Sequence, residues 1–104
     1  MAKVLSVNIS SETGTVKHPV PQAIFRQNYG IEGDAHAGDW HRQVSLLDQQ
    51  SVEKMLARGA TNLVPGIFAE NITTEGIELY ALPLGTRLRI GSVELEVTQI
   101  GKEC

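Results

Sequence analysis

The chain is a small, mildly acidic polypeptide of 104 residues, with 9 Lys and Arg against 12 Asp and Glu and a formal net charge of −3. This length predicts one domain with a single modest core. A hydrophobic fraction of 41% and a single cysteine exclude disordered, collagen-like and disulfide-scaffold proteins. The acidic balance argues against nucleic-acid binding. Without a signal peptide or an apolar run of about 20 residues, the sequence predicts a cytoplasmic protein with no membrane segment.

The first part of the chain predicts one strand followed by loops. Leu5, Val7 and Ile9 alternate with polar residues, which is the pattern of a half-buried strand. Residues 11–27 contain a glycine and two prolines and predict turns and an irregular crossing segment. Residues 30–40 combine three glycines with two Asp and one His, so we expect a loop that carries chemistry.

The middle of the chain predicts the main helix between two strands. Residues 44–47 form a short apolar run, and Asp48 follows it as a candidate N-cap. Apolar residues at helical spacing come next, and Gly59 stands where a helix C′ glycine is expected. Residues 67–73 predict another strand.

The C-terminal part predicts a β-hairpin of residues 86–90 and 93–99 around the turn Gly91-Ser92. The predicted register places apolar pairs on one face and opposite charges on the other. The pairs are Ile90 with Val93, Leu88 with Leu95, Arg89 with Glu94, and Arg87 with Glu96. Short strands with one or two short helices predict a mostly-β fold, either a barrel or a sandwich.

The densest group of chemically active residues is the stretch 33–41, in which Gly-Asp-x-His occurs twice. His36 and His41 would point to opposite faces of a strand, and on a helix they would lie about 140° apart, so they converge only in a wrapped loop. The spacing favours Asp residues that cap turns or orient the neighbouring His. A zinc or iron site and a polar pocket for an anionic ligand are the alternatives.

Cys104 is the only candidate nucleophile or soft metal ligand. A thiolate accepts sulfane sulfur and binds thiophilic metals such as molybdenum, whereas a thiol does so poorly. Lys102 would favour the thiolate and Glu103 would oppose it. The alternative is a terminal cysteine without a function.

Three basic residues, Lys17, Arg42 and Lys102, lie nearest the predicted loops, and arginine is well suited to bind a phosphate. Solvated surface charges are the alternative. Asn71 follows Glu70 between two apolar stretches. A buried Asn is costly unless it is hydrogen-bonded, so it either ties backbone together or binds a polar ligand.

Several blocks of the sequence, taken in order, resemble the MOSC domain, the molybdenum cofactor sulfurase C-terminal domain. The blocks are Gly33–Gly38, His41–Leu47, Phe68–Ile72, Leu84-Gly85 and Thr98–Cys104. The resemblance extends from Lys17 to the last residue. It implies a β-barrel of the pyruvate kinase barrel-like type, with Cys104 at the mouth of a pocket.

The resemblance implies one of two functions. The domain either carries sulfur as a persulfide for maturation of metal–sulfur centres, or binds molybdenum cofactor with Cys104 as the molybdenum ligand. As an enzyme it would be a sulfur transferase or a molybdenum-dependent reductase of N-hydroxylated compounds. In a cofactor pocket, Lys17 and Arg42 would contact the pterin phosphate, while His36 and Asn71 would contact the pterin or the oxo groups.

The implied partners are a cysteine desulfurase or a molybdoenzyme, and pyridoxal phosphate would enter only through the desulfurase. MOSC domains usually continue beyond this cysteine, so we expect residues 1–104 to form a single MOSC-like domain without the usual C-terminal portion. An unpaired sheet edge would then be covered by a partner, a second copy or water. Two alternatives remain open: a non-catalytic β-barrel binding module with an inert cysteine, and a metal-dependent hydrolase using the Gly-Asp-x-His repeat.

Overall fold

The structure is a computed structural model that describes residues 2–13, 15–38, 43–59, 64 and 66–100. Its strands are β1 (Lys3–Ile9), β2 (His18–Val20), β3 (Phe25–Arg26), β4 (Gly30–Ile31), β5 (Leu46–Asp48), β6 (Ile72–Glu75), β7 (Arg87–Ile90) and β8 (Val93–Glu96). The helices are α1 (Gln49–Ala57) and a short 3-10 helix (Leu79–Ala81). The predicted mostly-β class with one or two short helices is therefore confirmed. No helix in the described ranges is long and apolar enough to cross a membrane.

The strands form one four-stranded sheet, in the order β2-β1-β6-β5, and two hairpins, β3-β4 and β7-β8. In the larger sheet β1 is antiparallel to both β2 and β6, while β5 is parallel to β6. Among the described residues no sheet closes on itself. The barrel-like architecture therefore stays a prediction.

Strand β1 is confirmed, but its burial differs from the alternation in the sequence. Asn8 is fully buried, whereas Leu5 is 45% exposed. The pairing of β1 with β6 shifts register between Val4 and Ser6. Asn8 is tolerated inside because its amide donates to the Glu70 carbonyl at 3.1 Å. A hydropathy pattern does not detect a buried amide that has hydrogen-bond partners.

Helix α1 begins and ends as predicted. The Asp48 carboxylate accepts hydrogen bonds from the Ser51 N–H at 3.1 Å and from the Ser51 hydroxyl at 2.8 Å. Gly59 has a φ of 100°, and its N–H donates to the Leu56 carbonyl at 3.1 Å. Both contacts are local, which explains why the sequence predicts the two ends.

The strand predicted over residues 67–73 is wrong over most of its length, because β6 begins only at Ile72. The preceding residues form a turn in which Ala69 has a φ of 61°. The carboxylate of Glu70 accepts the N–H groups of Gly66 and Phe68, each at 3.2 Å. This folded-back carboxylate replaces the ladder hydrogen bonds of a strand and holds the turn.

The β7-β8 hairpin has the predicted register in all four residue pairs. One charge contact differs from the prediction, because Arg87 Nη1 lies 2.9 Å from Glu94 Oε1, diagonally across the ladder. The Arg87 side chain is 70% exposed. An exposed pair of this kind contributes roughly 0.2–1 kcal/mol, so the register rests mainly on the turn and the apolar face.

The interior of the described part is unusually polar. The buried apolar residues are Ile31, Val52 and Ile72, and the buried polar or charged residues are Asn8, Lys17, Asp34, Asp48, Glu70, Asn71, Thr73 and Thr74. Buried polar groups are costly unless they are hydrogen-bonded, so the arrangement of these side chains strongly constrains the fold.

Two neighbouring threonines of β6 provide a matched test of this polar interior. Thr73 Oγ1 donates to Glu70 Oε2 at 2.9 Å, while Thr74 Oγ1 is buried without a hydrogen-bond partner among the described residues. We expect Thr73→Val to lower the free energy of unfolding by about 1–3 kcal/mol, since it leaves a buried carboxylate without one donor. Thr74→Val should be neutral or stabilising. Urea unfolding of both variants measures this difference, and equal losses would contradict it.

Candidate functional site

A buried ion pair lies between the segment that leads into β2 and the loop that follows β4. Lys17 Nζ is 2.6 Å from Asp34 Oδ1, and both side chains are 0% exposed. The same nitrogen is 3.3 Å from Ser10 Oγ and 3.0 Å from His36 Nδ1. The three N–H groups of the ammonium therefore have three acceptors within reach.

The Asp34 carboxylate is the centre of this cluster. It accepts the backbone N–H of Ser10 at Oδ1 and of His36 at Oδ2, each at 3.1 Å. Burial by itself raises the pKa of Asp34, but hydrogen bonds from Lys17, Ser10, Asn71 and His36 outweigh it and hold the pKa below its ordinary value of 3.8. The site therefore contains a fixed carboxylate charge balanced by a fixed ammonium.

The side chain of Asn71 connects this cluster to the larger sheet. Its Oδ1 accepts the Ser45 N–H at 3.0 Å, and its Nδ2 donates to the Asn8 carbonyl at 3.1 Å. It also contributes to the lowered pKa of Asp34. Asn71 thus connects β1, the residue before β5 and the Asp34 loop.

Three of the candidate site residues, Lys17, His36 and Asn71, are brought together around Asp34. Asp34 belongs to the Gly-Asp-x-His motif of the sequence, whereas its partner Lys17 lies 17 residues earlier. No local pattern signals this pairing. Two other candidates, Arg42 and Cys104, lie outside the described residues, and so does His41 of the second Gly-Asp-x-His motif.

The first Gly-Asp-x-His motif forms a turn of the predicted kind. Asp34 Oδ2 accepts the backbone N–H of His36, two residues later, but lies 4.0 Å from the His36 ring nitrogen Nδ1. Asp34 therefore orients His36 through its backbone, and Lys17 contacts the ring. The described residues include no group of three His, Cys, Asp or Glu that could hold a metal ion. The zinc or iron interpretation stays a prediction.

The backbone of Lys17 is held by a glycine that has no room for a side chain. The Lys17 N–H donates to the Gly66 carbonyl at 2.8 Å. Gly66 has a φ of 89°, and a Cβ atom there would overlap the Lys17 carbonyl.

We expect Gly66→Ala to lower the free energy of unfolding by about 1–3 kcal/mol more than Gly59→Ala. Gly59 is a matched control because its φ is also positive, at 100°, but its Cβ position is open. Thermal or urea unfolding of the two variants gives the difference. Equal losses would contradict the close approach of Gly66 to Lys17.

The family model of the MOSC domain matches residues 32–104. The chain belongs to the MOSC domain family. The match includes Asp34, His36, Asn71 and Cys104 and begins after Lys17. It confirms the resemblance found in the sequence. The MOSC family in general is linked to molybdenum cofactor. No curated protein and no solved structure matches the chain.

Proposed function

We propose that this MOSC domain binds molybdenum cofactor, with Cys104 as the molybdenum ligand. The observation that supports the proposal is the meeting of Lys17, His36 and Asn71 around the charged Asp34. An ionisable group with a shifted pKa inside a polar cluster, as Asp34 is here, is typical of functional sites. Within this cluster the His36 side chain is 27% exposed, while the side chains of the ion pair are 0% exposed.

The residues present suit the chemistry of the cofactor. A thiolate is a soft ligand appropriate to molybdenum, and Cys104 would supply it. Arg42 would bind the pterin phosphate, because a guanidinium makes bidentate contacts to phosphate. His36 would contact the pterin or an oxo group. When bound, the molybdenum supplies two-electron reduction chemistry, which for this family implies N-hydroxylated compounds as substrates.

Lys17 and Asn71 are better placed to support the proposed cofactor site than to contact a ligand directly. The Lys17 ammonium is buried against Asp34, Ser10 and His36. Direct contact between Lys17 and a phosphate stays a prediction that requires one of these hydrogen bonds to break. The Asn71 amide is likewise engaged by backbone groups on both its oxygen and its nitrogen.

The persulfide relay is the second candidate, and the same cysteine would carry it. The Cys104 thiolate would attack the terminal sulfur of a persulfide on a cysteine desulfurase. A new S–S bond would form at Cys104 as the old one breaks, and the desulfurase cysteine would leave as a thiolate. The recipient would be a molybdoenzyme or another metal–sulfur centre. Pyridoxal phosphate would act in the desulfurase, where the sulfur is first abstracted.

The deciding experiment combines intact-mass spectrometry with metal and pterin analysis, comparing wild type with Cys104→Ser after co-expression with a cysteine desulfurase. We expect molybdenum and pterin to copurify with wild type and to be lost in the variant. A mass increase of about 32 Da, one sulfur atom, confined to wild type would favour the relay instead. The same analysis is made on a chain extended past Cys104. If neither chain shows bound molybdenum and pterin or the added sulfur atom, the inert binding module is the better description.

A matched pair of histidine variants tests the role of the Asp34 cluster. His36 lies in the cluster, whereas His18 is an exposed residue of β2. We expect His36→Gln to lower the molybdenum content and His18→Gln to leave it unchanged. Equal content in both variants would place the cofactor away from the cluster.

A further inference from the structure

We infer that Lys17 fixes His36 as the neutral imidazole that carries its proton on Nε2. A lysine ammonium has three donors and no acceptor. Because Lys17 Nζ lies 3.0 Å from His36 Nδ1, that ring nitrogen must accept the hydrogen bond with its lone pair. The single ring proton of the neutral imidazole then resides on Nε2.

The opposite arrangement, in which Nδ1–H donates to an uncharged Lys17, does not fit the surroundings. Lys17 Nζ is 2.6 Å from Asp34 Oδ1, and both side chains are 0% exposed. An uncharged lysine would leave the Asp34 carboxylate as a buried charge without a counter-ion. The carboxylate also accepts the backbone N–H groups of Ser10 and His36, which favour its charged form, and a buried carboxylate charge requires the ammonium.

A direct hydrogen bond from His36 Nδ1–H to the carboxylate is also excluded by distance. Asp34 Oδ2 lies 4.0 Å from Nδ1, beyond hydrogen-bond range. That oxygen instead accepts the backbone N–H of His36 at 3.1 Å. A charged Lys17 that donates to both Asp34 Oδ1 and His36 Nδ1 fits the distances among these three side chains.

This tautomer determines what His36 can bind. Coordination of a metal ion by Nε2 of a neutral imidazole requires the ring proton to move to Nδ1, which faces the N–H groups of Lys17. His36 is therefore an uncharged hydrogen-bond donor and a poor metal ligand. This argues against His36 as a ligand in a metal-dependent hydrolase.

The kind of cofactor atom that His36 would contact follows from this tautomer, an inference that rests on the proposed function. His36 Nε2–H would donate to an acceptor such as an oxo group, a carbonyl or an unprotonated ring nitrogen. Lys17 and Asp34 are positioning residues, because they act on the ligand through His36.

The test is a two-bond proton–nitrogen correlation spectrum of ligand-free protein labelled with nitrogen-15 at histidine, recorded near pH 7. We expect His36 to show a protonated-type signal at Nε2 and an unprotonated-type signal at Nδ1, with no detectable second tautomer. Imidazoles in water favour the same tautomer but exchange with the other, so exposed His18 serves as the internal reference. A signal from protonated Nδ1 in His36 would overturn the inference.

Lys17→Met provides the second arm. Without the ammonium, we expect a protonated Nδ1 signal to appear in His36, while His18 remains unchanged. If Lys17→Met does not fold, wild type is titrated with Zn²⁺ instead and the same spectrum is recorded. We expect the His36 signals to stay unchanged at Zn²⁺ concentrations that perturb the His18 signals. Zinc coordination by His36, or an unaltered His36 spectrum in folded Lys17→Met, would overturn the inference. Because the spectra use ligand-free protein, their result is independent of whether molybdenum copurifies.

Discussion

Lys17→Met is expected to lower the free energy of unfolding by about 3–5 kcal/mol, the usual cost of removing one partner from a buried ion pair. The loss comes from Asp34, whose carboxylate would stay buried without its counter-ion. Chemical denaturation of the variant and of wild type near pH 7 measures it. Lys3→Met is the matched control, because Lys3 is an exposed residue of β1 and its replacement should change stability by less than about 0.5 kcal/mol.

The double variant Lys17→Met/Asp34→Asn separates lost charge pairing from lost packing. Since it removes both charges, we expect it to be more stable than Lys17→Met alone. A double variant that is as unstable as the single one would show that the aliphatic part of Lys17, and not its charge, stabilises the site.

The pH dependence of the same variants has a definite sign. In wild type the folded pKa of Asp34 is lowered, so its stabilising contribution is present above the ordinary value of 3.8 and is lost as pH falls toward the folded pKa. In Lys17→Met the main hydrogen bond that lowers this pKa is lost while burial still raises it, so we expect the pKa of Asp34 to be higher than in wild type. Protonation of Asp34 then removes the unpaired buried charge in the variant. The difference in free energy of unfolding between wild type and Lys17→Met should therefore shrink on acidification from pH 7 to pH 4. A constant deficit would contradict a buried charge.

Asn71→Ala is expected to cost about 2–4 kcal/mol, because it removes the partner of one buried and one half-buried backbone group. The groups are the Ser45 N–H and the Asn8 carbonyl, which lie 3.0 and 3.1 Å from the Asn71 amide. Urea unfolding measures the loss. Gln50→Ala is the matched control, because Gln50 is an exposed amide on α1 and its loss should be within about 0.5 kcal/mol.

Asn71→Asp tests the same contacts with nearly the same side-chain shape. An aspartate retains an acceptor for the Ser45 N–H but loses the donor to the Asn8 carbonyl and adds a negative charge close to Asp34. We expect it to be at least as destabilising as Asn71→Ala at pH 7. If Asn71→Asp had the same free energy of unfolding as wild type, the hydrogen bond from Asn71 Nδ2 to the Asn8 carbonyl would contribute little to stability.

Replacement of Lys17 or of Asn71 also bears on the proposed function. If it disrupts the Asp34 cluster, it should lower both the free energy of unfolding and the amount of bound cofactor. The informative case is His36→Gln, which removes a side chain that is 27% exposed while leaving the Lys17–Asp34 pair in place. Loss of molybdenum with unaltered unfolding in that variant would separate ligand binding from folding.

The sequence by itself determined the local elements of this protein and its family. The β7-β8 register follows from complementary patterns on the two faces of adjacent strands and from a two-residue turn, and α1 follows from contacts between residues a few positions apart. The ordered motifs of the MOSC domain are likewise read directly along the chain.

Only the tertiary structure decided the polar interior. It buried Asn8, replaced the first part of the strand predicted over residues 67–73 with a turn held by Glu70, and paired Lys17 with Asp34. Each of these depends on a single polar side chain that meets partners from distant segments. A lone charged or amide residue has the same local pattern on a surface as in a satisfied interior, because its free energy depends on partners that only the folded chain brings within hydrogen-bond distance.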